Sequence, residues 1–600
     1  MAAFDLIPIL GRQTDSVKAD TNTGMKNSRF LKPVSLILLC SAWSALASAQ
    51  FQAPPPAVTE MYEFISRYQA DMGSLSRYYF VEDSPERRVR FRAFYNDGLA
   101  QLASLPFDDF SAGGRVDYLL MRRELNEGLH RLEVEEKECA AVQDWTKFGD
   151  PIYELEKMRR RGKHMDSPEV ARQLNQMIRD FSAQQKALEK QPNRSRPLTA
   201  RAKEIIEGQM DALKSFFEFY NGYDPEFSWW VAKPYEQLTA LMKDYAEAVK
   251  KKVDPATLPK DDGSGIIGYP IGREELIRLL QYEMIPYTPE ELVEIANKEF
   301  AWCDAELLKA SREMGFGDDW KAAQEKVKQS YVPPGYQPEA MLDLYNQSVN
   351  FLKEHDLITI PPLAEETWRM SMIPPERQLI SPFFLGGEVL QISYPTDEMA
   401  HEDKLMSMRG NNPHFSRATV HHELIAGHHL QGFMNRRNKP YRREFGTPFW
   451  TEGWSLYWEL ILWDMDFPRS PEDRIGMLFW RMHRCARIIF SLNYHQGKWT
   501  PQQCIDFLVD RVGHERANAE GEVRRSFTAN YGPLYQIAYM TGGMQFYALK
   551  KELVDSGKMT MKQYHDAVMN ENAMPVEMVR AIITDQKLPK DFKSNWRFYK

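Results

Sequence analysis

Cysteine is scarce in this chain, with five residues in 600, and none sits in a CxxC pair. That spacing excludes a zinc site built from cysteine, and a chain of this size needs no disulfide framework to fold. No charge of one sign dominates either. The 76 basic and 84 acidic residues leave a net charge of −8, without a basic stripe, which excludes nucleic acid as a partner. Beyond the first fifty residues no hydrophobic run approaches the roughly 20 residues that a membrane span requires. Internal repeats are absent, and the only low-complexity tract is the short Pro-rich stretch at 54–56. What is present is 43% hydrophobic and 12% aromatic residues, enough for a large packed body.

The beginning of the chain carries a targeting signal. Lys26, Arg29 and Lys32 precede an apolar run from Val34 to Trp43, which closes on Ala47-Ser48-Ala49 before Gln50. A basic start, a short apolar middle and a small-x-small exit describe a secretory signal peptide. Residues 1–24 do not fit that pattern, so translation is expected to start at Met25, with a leader covering 1–49. The mature protein is then periplasmic or secreted, with no stable membrane span. Cys139, Cys303, Cys485 and Cys504 remain after leader removal, and the sequence does not reveal their pairing.

From about Val58 onward the apolar spacing is helical. Tyr118, Leu119, Leu125 and Leu129 recur on one face of Arg115–Leu132, as in an amphipathic helix. Similar stretches cover 166–190, 199–221, 234–252, 273–283 and 288–313. Thr288-Pro-Glu-Glu is a helix start, with a capping hydroxyl, Pro in the first turn and acids at the positive helix end. Glu388–Tyr394 reads as a strand bounded by Gly386-Gly387 and Pro395. The expected architecture is mostly α: a large helical body with a deep cleft and a small sheet near the active-site helix. The Pro- and Gly-rich loop at 254–272 divides an N-terminal helical lobe (50–271) from a catalytic helical lobe (272–600).

The chemistry concentrates in His421-His-Glu-Leu-Ile-Ala-Gly-His-His-Leu-Gln431. Four of the chain's 13 histidines lie there within nine residues, beside a glutamate. Zinc takes imidazole and carboxylate ligands, and a hydrolytic site keeps a position open for water. A neighbouring glutamate then serves as general base. The usual HExxH spacing places two imidazoles one turn apart, but position 426 is alanine. His428 and His429 follow His422 by six and seven residues. A six-residue step rotates by roughly 240° and a seven-residue step rises about 10 Å, so a straight helix cannot bring either pair onto one ion. A distorted turn around Ile425–Gly427 is therefore expected, with Gly427 permitting it. His422 and His428 are the favoured ligands, with His429 and His421 as substitutes.

A third ligand is expected from Phe449-Trp-Thr-Glu-Gly-Trp-Ser-Leu-Tyr-Trp-Glu459. Glu452 lies 24 residues after His428, enough for one helix to end and a second to return. Glu459, two turns further on the same face, is placed to orient a ligand histidine. Tyr531, Tyr535 and Tyr539 recur every four residues, and one of them, with Tyr539 preferred, would supply the donor to a developing oxyanion. Arg481, Arg484 and Arg487 are expected to pair with acids across helices, and His514-Glu515 to be structural.

At these two segments the sequence resembles a bacterial family catalogued as domain of unknown function 885, with its HExxPGHHLQ and EGWxLYxE motifs. Here they read His422–Gln431 and Glu452–Glu459, with Ala426 in place of the family's proline. The family is in turn similar to gluzincin metallopeptidases such as angiotensin-converting-enzyme-like and Taq-type carboxypeptidases, which are mostly helical. The resemblance implies one zinc ion held by His422, His428 and Glu452, with Glu423 as general base and a peptide as substrate. Leu456 stands where many gluzincins place a supporting acid, and Glu459 is its replacement. Metal-dependent hydrolysis of a non-peptide amide or ester, or metal binding without catalysis, fits the same residues.

Overall fold

The computed structural model describes residues 58–378, 385–393, 395–528 and 531–599. The leader expected over 1–49 lies outside these residues, as does Tyr394 at the end of the expected strand. The expected helices are present: α1 (Ala112–Thr146), α2 (Ser167–Leu188), α3 (Arg196–Tyr220), α4 (Pro225–Lys250) and α5 (Pro289–Glu313). Side chains write the starts. Thr288 accepts the Glu291 N–H at 3.2 Å while the Glu291 carboxylate accepts the Thr288 N–H at 2.8 Å, a capping box that satisfies two otherwise orphaned donors. Asp166 and Asp224 cap α2 and α4 more simply, their carboxylates accepting first-turn N–H groups.

Two buried clusters form among the described residues. The smaller gathers α2, α3 and α4 around the C-terminal end of α1, with Trp145, Phe181, Phe216 and Tyr245 at its centre. The larger joins the N-terminal part of α1 and the segments before it to the buried apolar residues that follow Ile266. The chain thus passes from the larger core to the smaller within α1, a 35-residue helix about 52 Å long, and returns to the larger core through the loop at 254–272. Arg442 donates to Asp117 of α1 at 2.8 Å, with both side chains inaccessible to solvent, and it also pairs with Glu571. Truncating one member of such a pair costs about 3–5 kcal/mol, so this contact fastens α1 to the later half of the chain.

The larger core holds α6 (Pro413–Glu423), α7 (His428–Asn435), α8 (Pro448–Asp464), α9 (Pro471–His495) and α10 (Tyr535–Lys550). Helices α8 and α10 cross almost backbone to backbone. A Cβ on Gly453 would lie 2.6 Å from Gly542, and one on Gly542 would lie 1.9 Å from the Phe449 carbonyl oxygen. Glycine is required there by close approach. The sheet has two parallel strands, β1 (Arg369–Met372) and β2 (Val389–Ile392), paired Arg369 to Val389 through Met372 to Ile392. Beyond α1–α10 the described residues are mainly further helices. None of the helices is long and apolar enough to cross a membrane. The four described cysteines are free thiols.

Candidate metal centre

Helix α6 stops at Glu423 and α7 starts at His428. The backbone leaves the helical region at Leu424 (φ −108°, ψ −108°) and at Gly427 (φ −87°, ψ −131°), and the Ile425–Ala426 peptide is cis. The polar backbone freed by this break is satisfied. The Gly427 N–H donates to the His421 carbonyl at 2.9 Å, and the His429 N–H to Leu424 at 3.1 Å. The indole of Trp454, in α8, donates to the Ala426 carbonyl at 2.9 Å. The Gly387 N–H, at the entrance to β2, reaches the Glu423 carbonyl at 3.2 Å. A Cβ on Gly427 would lie 1.8 Å from the His422 carbonyl oxygen, so the expected break depends on a glycine at that position.

The break brings the two imidazoles together, with ring centroids 4.9 Å apart. The His428 Nε2 lies 3.1 Å and the His422 Nε2 3.5 Å from the same Glu452 oxygen, Oε2. Ligand atoms of His422, His428 and Glu452 all fall within 4.8 Å of one another. That carboxylate oxygen is buried and has no hydrogen-bond partner. Two nitrogen lone pairs and one orphaned carboxylate oxygen facing a common point form a donor set that fits a zinc ion. Asp83, Glu135 and Cys139 also cluster, but cations already serve them: Arg88 pairs with Glu135 at 3.0 Å and Arg201 with Asp83 at 3.3 Å.

Glu459 fixes the orientation of His422, with a carboxylate oxygen 2.7 Å from Nδ1. Such a contact fixes the ring and its Nδ1 proton and aims Nε2 at the position an ion would take. His428 is held less firmly. The Gln431 amide nitrogen is 3.1 Å from its Nδ1, but the two hydrogens of that nitrogen have acceptors closer by, the Thr451 carbonyl at 2.9 Å and the Ser455 hydroxyl at 3.0 Å. Replacing Glu459 by Gln is expected to weaken metal affinity by about 10–100-fold, measured by competition with a chromogenic chelator.

The other two histidines turn away. His429 Nε2 bonds the Ala364 carbonyl at 2.7 Å. His421 is buried against Phe467, and burial pushes it down to about 4. Burial likewise lowers His429, His483, His495, His514 and His565. It would lower His422 too, but Glu452 and Glu459 push that imidazole up to about 9. At Glu452 burial opposes ionisation, yet His428 and His422 hold the carboxyl well below its usual range. At Glu423 burial wins, with Glu452 acting in the same direction, and the carboxyl is raised despite His428 and His422.

The tyrosine stripe meets the site at a different residue from the one preferred by sequence. Tyr535, in the first turn of α10, donates to Glu452 Oε1 at 2.5 Å. The Tyr539 hydroxyl stands behind it, 3.5 Å from the Tyr535 oxygen, with its ring nearly parallel to His422 at 6.1 Å. Tyr531 precedes the helix and packs against Tyr535 with its ring tilted by 45°. Arg484 and Arg487 lie over the Tyr539 ring, their guanidinium carbons 4.6 and 4.5 Å from its centroid. Both also pair with acids, Glu459 and Glu522 respectively, and Arg481 pairs with Glu299. His514 contacts His483 at 2.9 Å and Glu515 pairs with Lys328, away from the cluster. Trp454 was not singled out by the sequence; an aromatic run masks its donor role, although a broken helix always needs donors for its freed carbonyls.

No curated protein matches the sequence. A structure titled as a putative lipoprotein of unknown function from Shewanella oneidensis superposes with a TM-score of 0.63 at 16% identity, covering 88% of this chain and all of that one. A second, a putative lipoprotein from Colwellia psychrerythraea, gives a TM-score of 0.51 at 15% identity over 84% of this chain and 91% of that one. At these identities the likeness is one of fold. The family model described as "Bacterial protein of unknown function (DUF885)" matches residues 69–583, a span that contains both motifs and every residue of the cluster, and the chain belongs to that family.

Proposed function

We propose that this protein is an exported zinc-dependent peptidase acting on oligopeptides. The observation that carries the reading is the convergence of the His422 and His428 Nε2 atoms on one buried, unpartnered oxygen of Glu452. His422, His428 and Glu452 would hold the ion, which when bound polarises a carbonyl and acidifies water. Glu423, adjacent to a ligand and raised by burial, takes the proton of the attacking water and passes it to the leaving amine. Glu459 keeps His422 in the tautomer that presents Nε2. The Tyr535 hydroxyl gives its one hydrogen to Glu452 Oε1 and orients that ligand, which leaves Tyr539, 3.5 Å behind it, as the tyrosine to donate to the substrate oxyanion. The choice of a peptide follows from the resemblance to gluzincin enzymes. Export follows from the leader pattern at 26–50, in keeping with the lipoprotein titles of two proteins of similar fold.

Elemental analysis of the purified mature protein tests the centre, with one zinc per chain expected in the wild type and less than about a tenth of that after Glu452→Ala. Chelator-sensitive cleavage in a peptide library, set against a panel of esters, tests the bond type. Absence of metal, or hydrolysis indifferent to chelator, overturns the reading.

A further inference from the structure

A cavity of about 900 Å³ lies away from the metal cluster, and none of His422, His428, Glu423 and Glu452 lines it. Its walls come from three helices of the larger core: Leu460 and Asp464 of α8, Arg481 of α9, Met544 and Tyr547 of α10. Helix α5 adds Lys298, Glu299 and Trp302, and the C-terminal segment adds Trp596 to Tyr599. Twelve residues separate Glu452 from Asp464 along α8, about 18 Å. The volume falls within the range of small-molecule sites, which combine apolar walls with a few directed polar groups.

The charges around this cavity are unequal. Each of the three carboxylates in the wall has a donor, and two of them pair with an arginine. Glu299 accepts from Arg481 at 2.8 Å and from Tyr599 at 3.1 Å, Asp464 from Tyr547 at 2.6 Å, and Glu552 from Arg580 at 2.7 Å. The cations exceed them. Lys298 and Lys551 have no acidic partner among the described residues, and Lys551 rests on the Tyr547 ring, 4.7 Å from its centroid. The Arg481 Nε is buried and unpartnered, with its guanidinium 3.9 Å over Trp302. Half-buried rings of Trp302, Tyr547 and Trp596 supply flat apolar surface beside these donors. We infer that this cavity is a second binding site, for a small organic carboxylate with an aromatic body. The rings would take that body and Lys298, Lys551 and Arg481 its charge.

N-acetyl-phenylalanine and its C-terminal amide, each titrated into the full mature chain by calorimetry, test the assignment. Saturable one-site binding of the acid is expected, with the amide weaker by at least about tenfold. Lys298 and Lys551 are exposed, so the Lys298→Gln/Lys551→Gln double variant should fold normally and lose about tenfold in affinity for the acid. Glu452→Ala, which disables the metal cluster, should leave that affinity unchanged. Absence of saturable binding, equal binding of acid and amide, or an unaffected lysine double variant would overturn the second site. Loss of binding in Glu452→Ala would do so too, by placing the acid at the metal cluster.

Discussion

Replacing Glu423 by Gln is expected to lower peptide hydrolysis by about 10²–10⁴-fold, the range a positioned general base contributes, while one metal stays bound per chain. The two halves of that expectation have separate grounds. Retention of metal follows from the cluster, which comprises His422, His428 and Glu452 without Glu423. Loss of turnover follows from chemistry, because an amide nitrogen cannot accept the proton that a carboxylate takes from water. The substitution keeps the side-chain volume in a crowded place: a Cβ on Gly386 would come within 2.2 Å of a Glu423 carboxylate oxygen, so a bulkier replacement would mix steric with chemical effects. The measurement is kcat on a quenched fluorescent peptide beside zinc content on the same preparation. Undiminished hydrolysis with zinc in place would remove Glu423 from the reaction. Simultaneous loss of both would instead make it a residue that builds the site.

How much of this was readable beforehand depends on whether local rules or packing decide a feature. The Thr288 capping box and the long amphipathic helices were legible, because caps and 3.6-residue periodicity are written in neighbouring side chains. The break at 424–427 was legible for a geometric reason, since no straight helix joins positions 422 and 428. The paired histidines were harder. His421-His422 and His428-His429 are locally alike, and only the direction of the break sends His421 towards Phe467 and His429 to the Ala364 carbonyl. The tyrosines show the same limit. Residues 535 and 539 share a helix face, and the sequence does not say that the helix begins at Tyr535, which is what puts that hydroxyl on Glu452. The split of α1 between two cores was invisible because periodicity marks an apolar face without naming what covers it.

Gly427→Ala is expected to abolish stoichiometric metal binding, with zinc content falling below about a tenth per chain, although no ligand atom is altered. The added Cβ would stand 1.8 Å from the His422 carbonyl oxygen and 2.6 Å from that of His421. Both are backbone atoms at the end of α6, so no rotamer change relieves the clash and the turn itself has to move. Movement there separates the His422 and His428 Nε2 atoms from their shared oxygen and draws the Ala426 carbonyl away from Trp454. Overpacking of this kind costs about 1–3 kcal/mol, little beside the large core that holds α6, α8 and α9 together, so the chain should remain folded. Circular dichroism and the urea midpoint establish that point, and metal content then reads the site alone. Full zinc occupancy in a folded Gly427→Ala protein would mean that the glycine does not set the geometry of the break. Loss of zinc with the helices intact would place the geometry of the centre in one missing methyl group.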